Sequence, residues 1–131
     1  MGKHYAVGAA RKGLESLMQD ARGYKVLLDC HAAEYFEVDL KTLHAAVKRE
    51  RSRFPADFMI VLNGDEAVNL DRRLLAGSCR SRKLPVLGFT EVGVDALASV
   101  LKSKRAIAHS VANIREGVAQ FRRIRLMRPG V

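Results

Sequence analysis

From Lys41 to Arg53 the chain reads KTLHAAVKRERSR, with five long cations, one histidine and Glu50 as the only acid. Residues of these types suit one chemistry, the recognition of anions. Arginine and lysine reach phosphate oxygens and guanine edges, while small residues such as Thr42 and Ala45 allow close approach to a thymine methyl. A second cationic cluster, Arg80, Arg82 and Lys83, sits in a small polar stretch that reads as a loop. The bulk charge points the same way. Lysine plus arginine number 23 against 14 acids, for a net charge of +9. That balance favours nucleic acid, an acidic protein or anionic lipid as partner.

Other chemistries find little to build on. His4, His31, His44 and His109 are scattered, and Cys30-His31 is an adjacent pair without metal-ligand spacing. Cys30 and Cys79 make no CxxC pair. There is no glycine-rich phosphate loop and no nucleophile elbow. We therefore expect no enzyme, no cofactor and no metal. Residues 1–21 lack the apolar core of a signal peptide. No apolar run approaches the roughly 20 residues of a membrane span, and no membrane partner is expected.

The cations need elements to hold them. Residues 14–18 suggest a short helix or a first strand. Ala21-Arg22-Gly23 reads as a turn before a strand at 24–28, a small hairpin. Asp29 can cap a helix over roughly 30–36 that packs Ala32, Ala33 and Phe36. Asp39 is the next cap candidate. After it Leu40, Leu43 and Val47 recur with helical spacing, until Phe54-Pro55 stops the helix. Strands are expected at 58–62 and 84–89, with a turn at Asn63-Gly64-Asp65 and a helix over 65–75 between them. Thr90 caps a helix whose stripe is Val94, Leu97, Ala98 and Leu101. A last helix carries Ile107, Val111, Ile114, Val118 and Phe121, spaced 4, 3, 4, 3. That stripe fits a core-packing face, or a homodimer seam through helix 105–121.

The short helix, the tight turn and the basic helix over 29–53 have the outline of a helix-turn-helix. The loop 77–83, between two strands, would then be a wing against the backbone or minor groove.

Two ordered motifs carry a resemblance. FEVDLKTLHAAVKRERSRFPADFMIVL, followed by KLPVLGFTEVGVDALASVLKSKRAIAHSVANIREGV, resembles the KilA-N-related module at the N-termini of phage antirepressors, the "ORF-six N-terminal" domain. Leu28-Asp29, Ala46-Val47-Lys48-Arg49, Arg53-Phe54-Pro55, Asp57-Phe58-Met59, Phe89-Thr90-Glu91 and Arg105-Ala106-Ile107 carry it, over about residues 22–121. The chain departs from the pattern in three places. Glu37 replaces a common glycine, Val92 replaces a usual glutamine, and one extra residue before Phe89 predicts a bulge.

The resemblance implies an α+β fold: a small helix-turn-helix domain with short antiparallel hairpin or wing strands and two C-terminal helices. Residues 22–121 would be the DNA-binding domain, 1–21 a partly helical or flexible extension and 122–131 a basic tail. The implied role is phage or prophage transcription regulation on double-stranded DNA, in the cytoplasm of a bacterial host and at the nucleoid. Lys41, Thr42, His44, Ala45, Lys48 and Arg49 would face the groove. Arg51, Arg53, Arg80, Arg82 and Lys83 would contact phosphates. Leu43, Val47, Phe54, Phe58, Leu97 and Leu101 would build the core. The alternative is an antirepressor or inhibitor that grips a host or phage protein through its basic face or C-terminal helix.

Overall fold

The computed structural model describes residues 13–63, 65–66 and 85–127. Four strands form one antiparallel sheet: β1 (Gln19–Ala21), β2 (Tyr24–Leu28), β3 (Met59–Leu62) and β4 (Val86–Phe89), in the order β1-β2-β4-β3. The longer helices are α1 (Asp29–Phe36), α2 (Leu40–Arg49), α3 (Glu91–Val100) and α4 (Lys104–Met127), with a 3-10 turn at Arg51–Arg53 and a short helical segment at 13–17 ahead of β1. The fold is α+β, with two C-terminal helices, as expected. The loop 77–83, Cys79 and most of the helix expected over 65–75 lie outside the described residues.

The sheet alternates as a two-sided strand set must. Leu27, Met59, Leu87 and Phe89 face the helices and join Phe36, Leu43, Val47, Val94 and Leu97 in the main core. Val26, Leu28, Ile60, Leu62 and Val86 form a smaller apolar cluster. The β1–β2 hairpin closes on Arg22-Gly23, both with positive φ (50° and 83°), the backbone of a type I′ turn. The bulge expected before Phe89 is absent. The register runs unbroken from Met59↔Phe89 to Leu62↔Val86. Gly88 fits because any Cβ there would press Val26 and Ile60, at 3.0–3.3 Å.

α3 begins where the sheet ends. The Thr90 hydroxyl donates to the Asp57 carbonyl at 2.7 Å and accepts from the Gly93 N–H, so the N-cap expected from sequence forms. Gly93 lets this turn sit on the chain, because a Cβ there would lie 1.8 Å from the Phe58 carbonyl oxygen.

Several boundaries differ from expectation. β1 and buried Leu14 place part of the supposed N-terminal extension inside the folded unit. β3 begins at Met59, and Phe58 is a half-buried turn residue. α4 runs past 121 to Met127, through the start of the expected tail. Its stripe is exposed: Ile107, Val111, Ile114, Val118 and Phe121 all face solvent, and no residue from Ser110 to Leu126 is buried. The core-packing reading of that stripe is overturned. Instead α4 docks on its opposite side, through buried Ala106 and His109.

That docking uses a part-buried polar chain. The Tyr35 hydroxyl lies 3.2 Å from His109 Nδ1, and His109 Nε2 lies 3.1 Å from Asp95 Oδ1, which also accepts from the Asn113 amide. Tyr35, Phe36 and His109 meet edge to face, joining α1 to α4. Burial, with the Asp95 charge second, raises the Tyr35 phenol above its ordinary range.

Candidate functional site

The expected basic helix is two elements. α2 stops at Arg49, and Glu50 leaves helical geometry (φ −112°, ψ 41°). Arg51–Arg53 then make the separate 3-10 turn. The cause lies downstream. Phe54 must leave the α region ahead of Pro55, and its ring is buried edge-to-face against Phe89 at 5.9 Å. The chain therefore bends inward at Glu50, five residues before the proline, and Arg51 and Arg53 leave the direction of α2.

α2 is amphipathic for a simple reason. Leu43, Ala46 and Val47 are buried, so Lys41, Thr42, Ala45, Lys48 and Arg49 project outward. The Glu37–Asp39 turn sets its angle to α1. Glu37 adopts the left-handed conformation (φ 57°, ψ 46°), and its N–H caps α1. An L-residue is strained there and glycine is not. This gives the glycine of the family pattern a physical reason, and shows that the turn forms with glutamate as well.

Beside α2 lies a concavity of about 570 Å³, lined by Lys41, His44, Ala45, Val47, Lys48 and Arg51 on one side. Val61 and Leu87 of the sheet, with Pro85 just before β4, line the other. Cations rim an apolar floor. The periodicity that found α2 gave no sign of the sheet residues, which enter from chain segments far away in sequence.

His44 departs from its expected role. Its side chain is only 11% exposed and turns toward the sheet, with Nε2 2.7 Å from Asp29 Oδ2. Asp29 is buried as well. Asp29 is not the N-cap read from sequence: it is the first residue of α1, and Leu28 takes the cap position. Its other bonds explain the change. β2 ends at Leu28, so no strand residue lies opposite Leu87 to continue the β2–β4 ladder. The Asp29 carboxylate accepts the Leu87 N–H instead, at 3.2 Å. One side chain thus ties α1, α2 and β4 together directly beneath the cationic surface. Sequence alone offered Leu28-Asp29 as a signal, without the partner.

The remaining expected residues divide. Lys41, Ala45, Lys48 and Arg51 surround the concavity. Thr42 and Arg49 are exposed on the same helix, with the Thr42 hydroxyl 3.5 Å from Asp39. Arg53 is exposed and lies 3.7 Å from Glu50. Arg80, Arg82 and Lys83 lie outside the described residues.

The family model described as ORF6N domain matches residues 17–100, most of the chain. The chain belongs to the ORF6N family. The match opens just before β1 and closes at the last residue of α3, so the ORF6N unit contains the sheet, the Asp29 tie and α2, while α4 lies beyond it. The resemblance read from sequence extended further, to about 121. No curated protein and no solved structure matches the chain.

A further ion pair braces the ORF6N sheet. Arg22, in the hairpin turn, donates to both carboxylate oxygens of Glu66 and to the Val61 carbonyl. Asn63 and Glu66 bond reciprocally through side chain and backbone, a capping box that begins the next helical turn. The Arg22 guanidinium, and then the Asn63 N–H, hold the Glu66 carboxyl at about 2. Among the described residues no group of histidine, cysteine and acids could hold a metal ion, and no helix is long and apolar enough to cross a membrane.

Proposed function

We propose that this ORF6N protein is a regulator of the phage or prophage type that binds double-stranded DNA through α2 without performing chemistry on it. One observation carries the reading: Lys41, Lys48 and Arg51 converge around a concavity whose exposed helix face is otherwise small, at Ala45. Long cations at the rim suit phosphates, and a small centre suits close approach to base edges. The Asp29–His44 tie fixes the helix against the sheet, so the cations would meet DNA as a rigid set. His44 acts in this reading as a positioning residue, and Arg53 stands apart from the convergent group. The relationship to KilA-N modules and an antirepressor role belong to the same proposal.

The test is fluorescence anisotropy on random and operator duplexes across a salt series. Log affinity should fall with log salt by about 0.9 for each phosphate neutralised. Lys48→Ala should weaken binding and flatten that slope by about one. Salt-independent binding, or full affinity in the Lys48→Ala/Arg49→Ala variant at low salt, would sink the proposal.

A further inference from the structure

Among the described residues, the stripe on α4 is an apolar surface that the fold leaves uncovered. Ile107, Val111, Ile114, Val118 and Phe121 are all exposed, with Ile114 at 66%. Single exposed apolar residues need no explanation, but a contiguous row marks an interaction site. The helix is about 36 Å long at 1.5 Å per residue, and from Ser110 to Leu126 none of its residues is fully buried.

The spacing says what shape of partner fits. Alternate steps of four and three place Val111 and Val118 at a positions, and Ile107, Ile114 and Phe121 at d positions, of a left-handed helix pair. Gly117 sits beside this seam, and a Cβ there would meet nothing within 4 Å. A helix-interior glycine costs about 1 kcal/mol against alanine, and no contact among the described residues requires it. Close approach by an outside helix would use it.

The charges say what that helix carries. Arg115 and Arg122 flank the seam at the e positions, where the partner's g residues meet them. α4 has one acid, Glu116, and it points away from the seam toward Arg123, at 3.5 Å. A parallel second copy would offer Ser110 and Gly117 to these arginines and would stack Arg125 on Arg125. Self-pairing is therefore poorly matched in charge.

We infer that the exposed stripe of α4 docks an acidic amphipathic helix of another protein, with apolar residues in the seam and glutamate or aspartate facing Arg115 and Arg122. This surface is separate from α2 and lies outside the residues matched by the family model.

The experiment uses the full chain and a designed peptide of about three heptads, with leucine at a and d and glutamate at e and g. Its own acid repulsion keeps the peptide from pairing with itself. A twin peptide carries lysine for glutamate. Titration calorimetry should show binding of the glutamate peptide and at least tenfold weaker binding of the lysine twin. Ile114→Asp should abolish binding while leaving the circular dichroism spectrum and DNA affinity unchanged. Arg115→Glu/Arg122→Glu should lower affinity about tenfold, the sum of lost and reversed surface pairs, and should favour the lysine twin. Lys48→Ala/Arg49→Ala should leave peptide binding intact, which separates this surface from the proposed DNA face. Equal binding of both peptides, or no binding of the glutamate peptide, would overturn the inference. So would a dimer in sedimentation that Ile114→Asp dissolves, or binding to anionic vesicles alone.

Discussion

α2 and α4 are written in the same alphabet and used in opposite ways. Both are basic helices with an apolar stripe. In α2 the stripe is buried, and the cations are what the domain presents. In α4 the stripe faces solvent, and the side that docks carries Ala106 and a histidine. Each helix is also held by a histidine–carboxylate contact: His44 to Asp29 for α2, and His109 to Asp95 for α4. Periodicity therefore announces that a stripe exists but not what covers it. Coverage depends on which face the rest of the fold reaches first.

The largest effect should come from breaking the Asp29 tie. Asp29→Ala leaves His44 and the Leu87 N–H without their buried acceptor. A cost of about 3–5 kcal/mol is expected in urea unfolding, and a loss below 1 kcal/mol would mean that α2 is held by packing alone. Next, the two stripes should separate cleanly. Leu43→Ala should cost about 2–5 kcal/mol by cavity formation, and Ile114→Ala within about 0.5 kcal/mol. Equal costs would erase the contrast between the helices.

Smaller still is the turn before α2. Glu37→Gly relieves a left-handed residue and should stabilise by about 1 kcal/mol, since the exposed contact it surrenders to Arg105, at 3.8 Å, is weak. A lower melting temperature would show that Glu37 contributes more than its strain costs. The smallest effect concerns pH. The Glu66 carboxyl is depressed from 4.5 to about 2, so the stability it lends is fully present above pH 4.5 and lost as pH falls toward 2. Unfolding measured across that window should show a step that Glu66→Gln removes.

Much of the fold was legible because local rules and tertiary demands agreed. Thr90 caps α3, Leu43 and Val47 reach the core, and the Arg22-Gly23 turn joins two strands. The misreadings share one cause: a local signal was overruled from a distance. Asp29 looked like a cap, and one of its oxygens does accept the Cys30 N–H, but the other serves Leu87, which lacks a β2 partner. The basic run to Arg53 looked like one helix, but burial of Phe54 against Phe89 bent it at Glu50. The extra residue before Phe89 looked like a bulge, but glycine at 88 let the ladder continue.

By itself, then, the sequence determined the charge, the helix stripes, the turn residues and the family, because these depend on residue type and spacing along the chain. Only the tertiary structure decided which stripe is buried, where His44 points and which cations converge. Those outcomes depend on contacts between residues 15 to 74 positions apart, such as His44 with Asp29 and Tyr35 with His109. No local pattern encodes which distant group will arrive to satisfy a buried carboxylate or cover an apolar face.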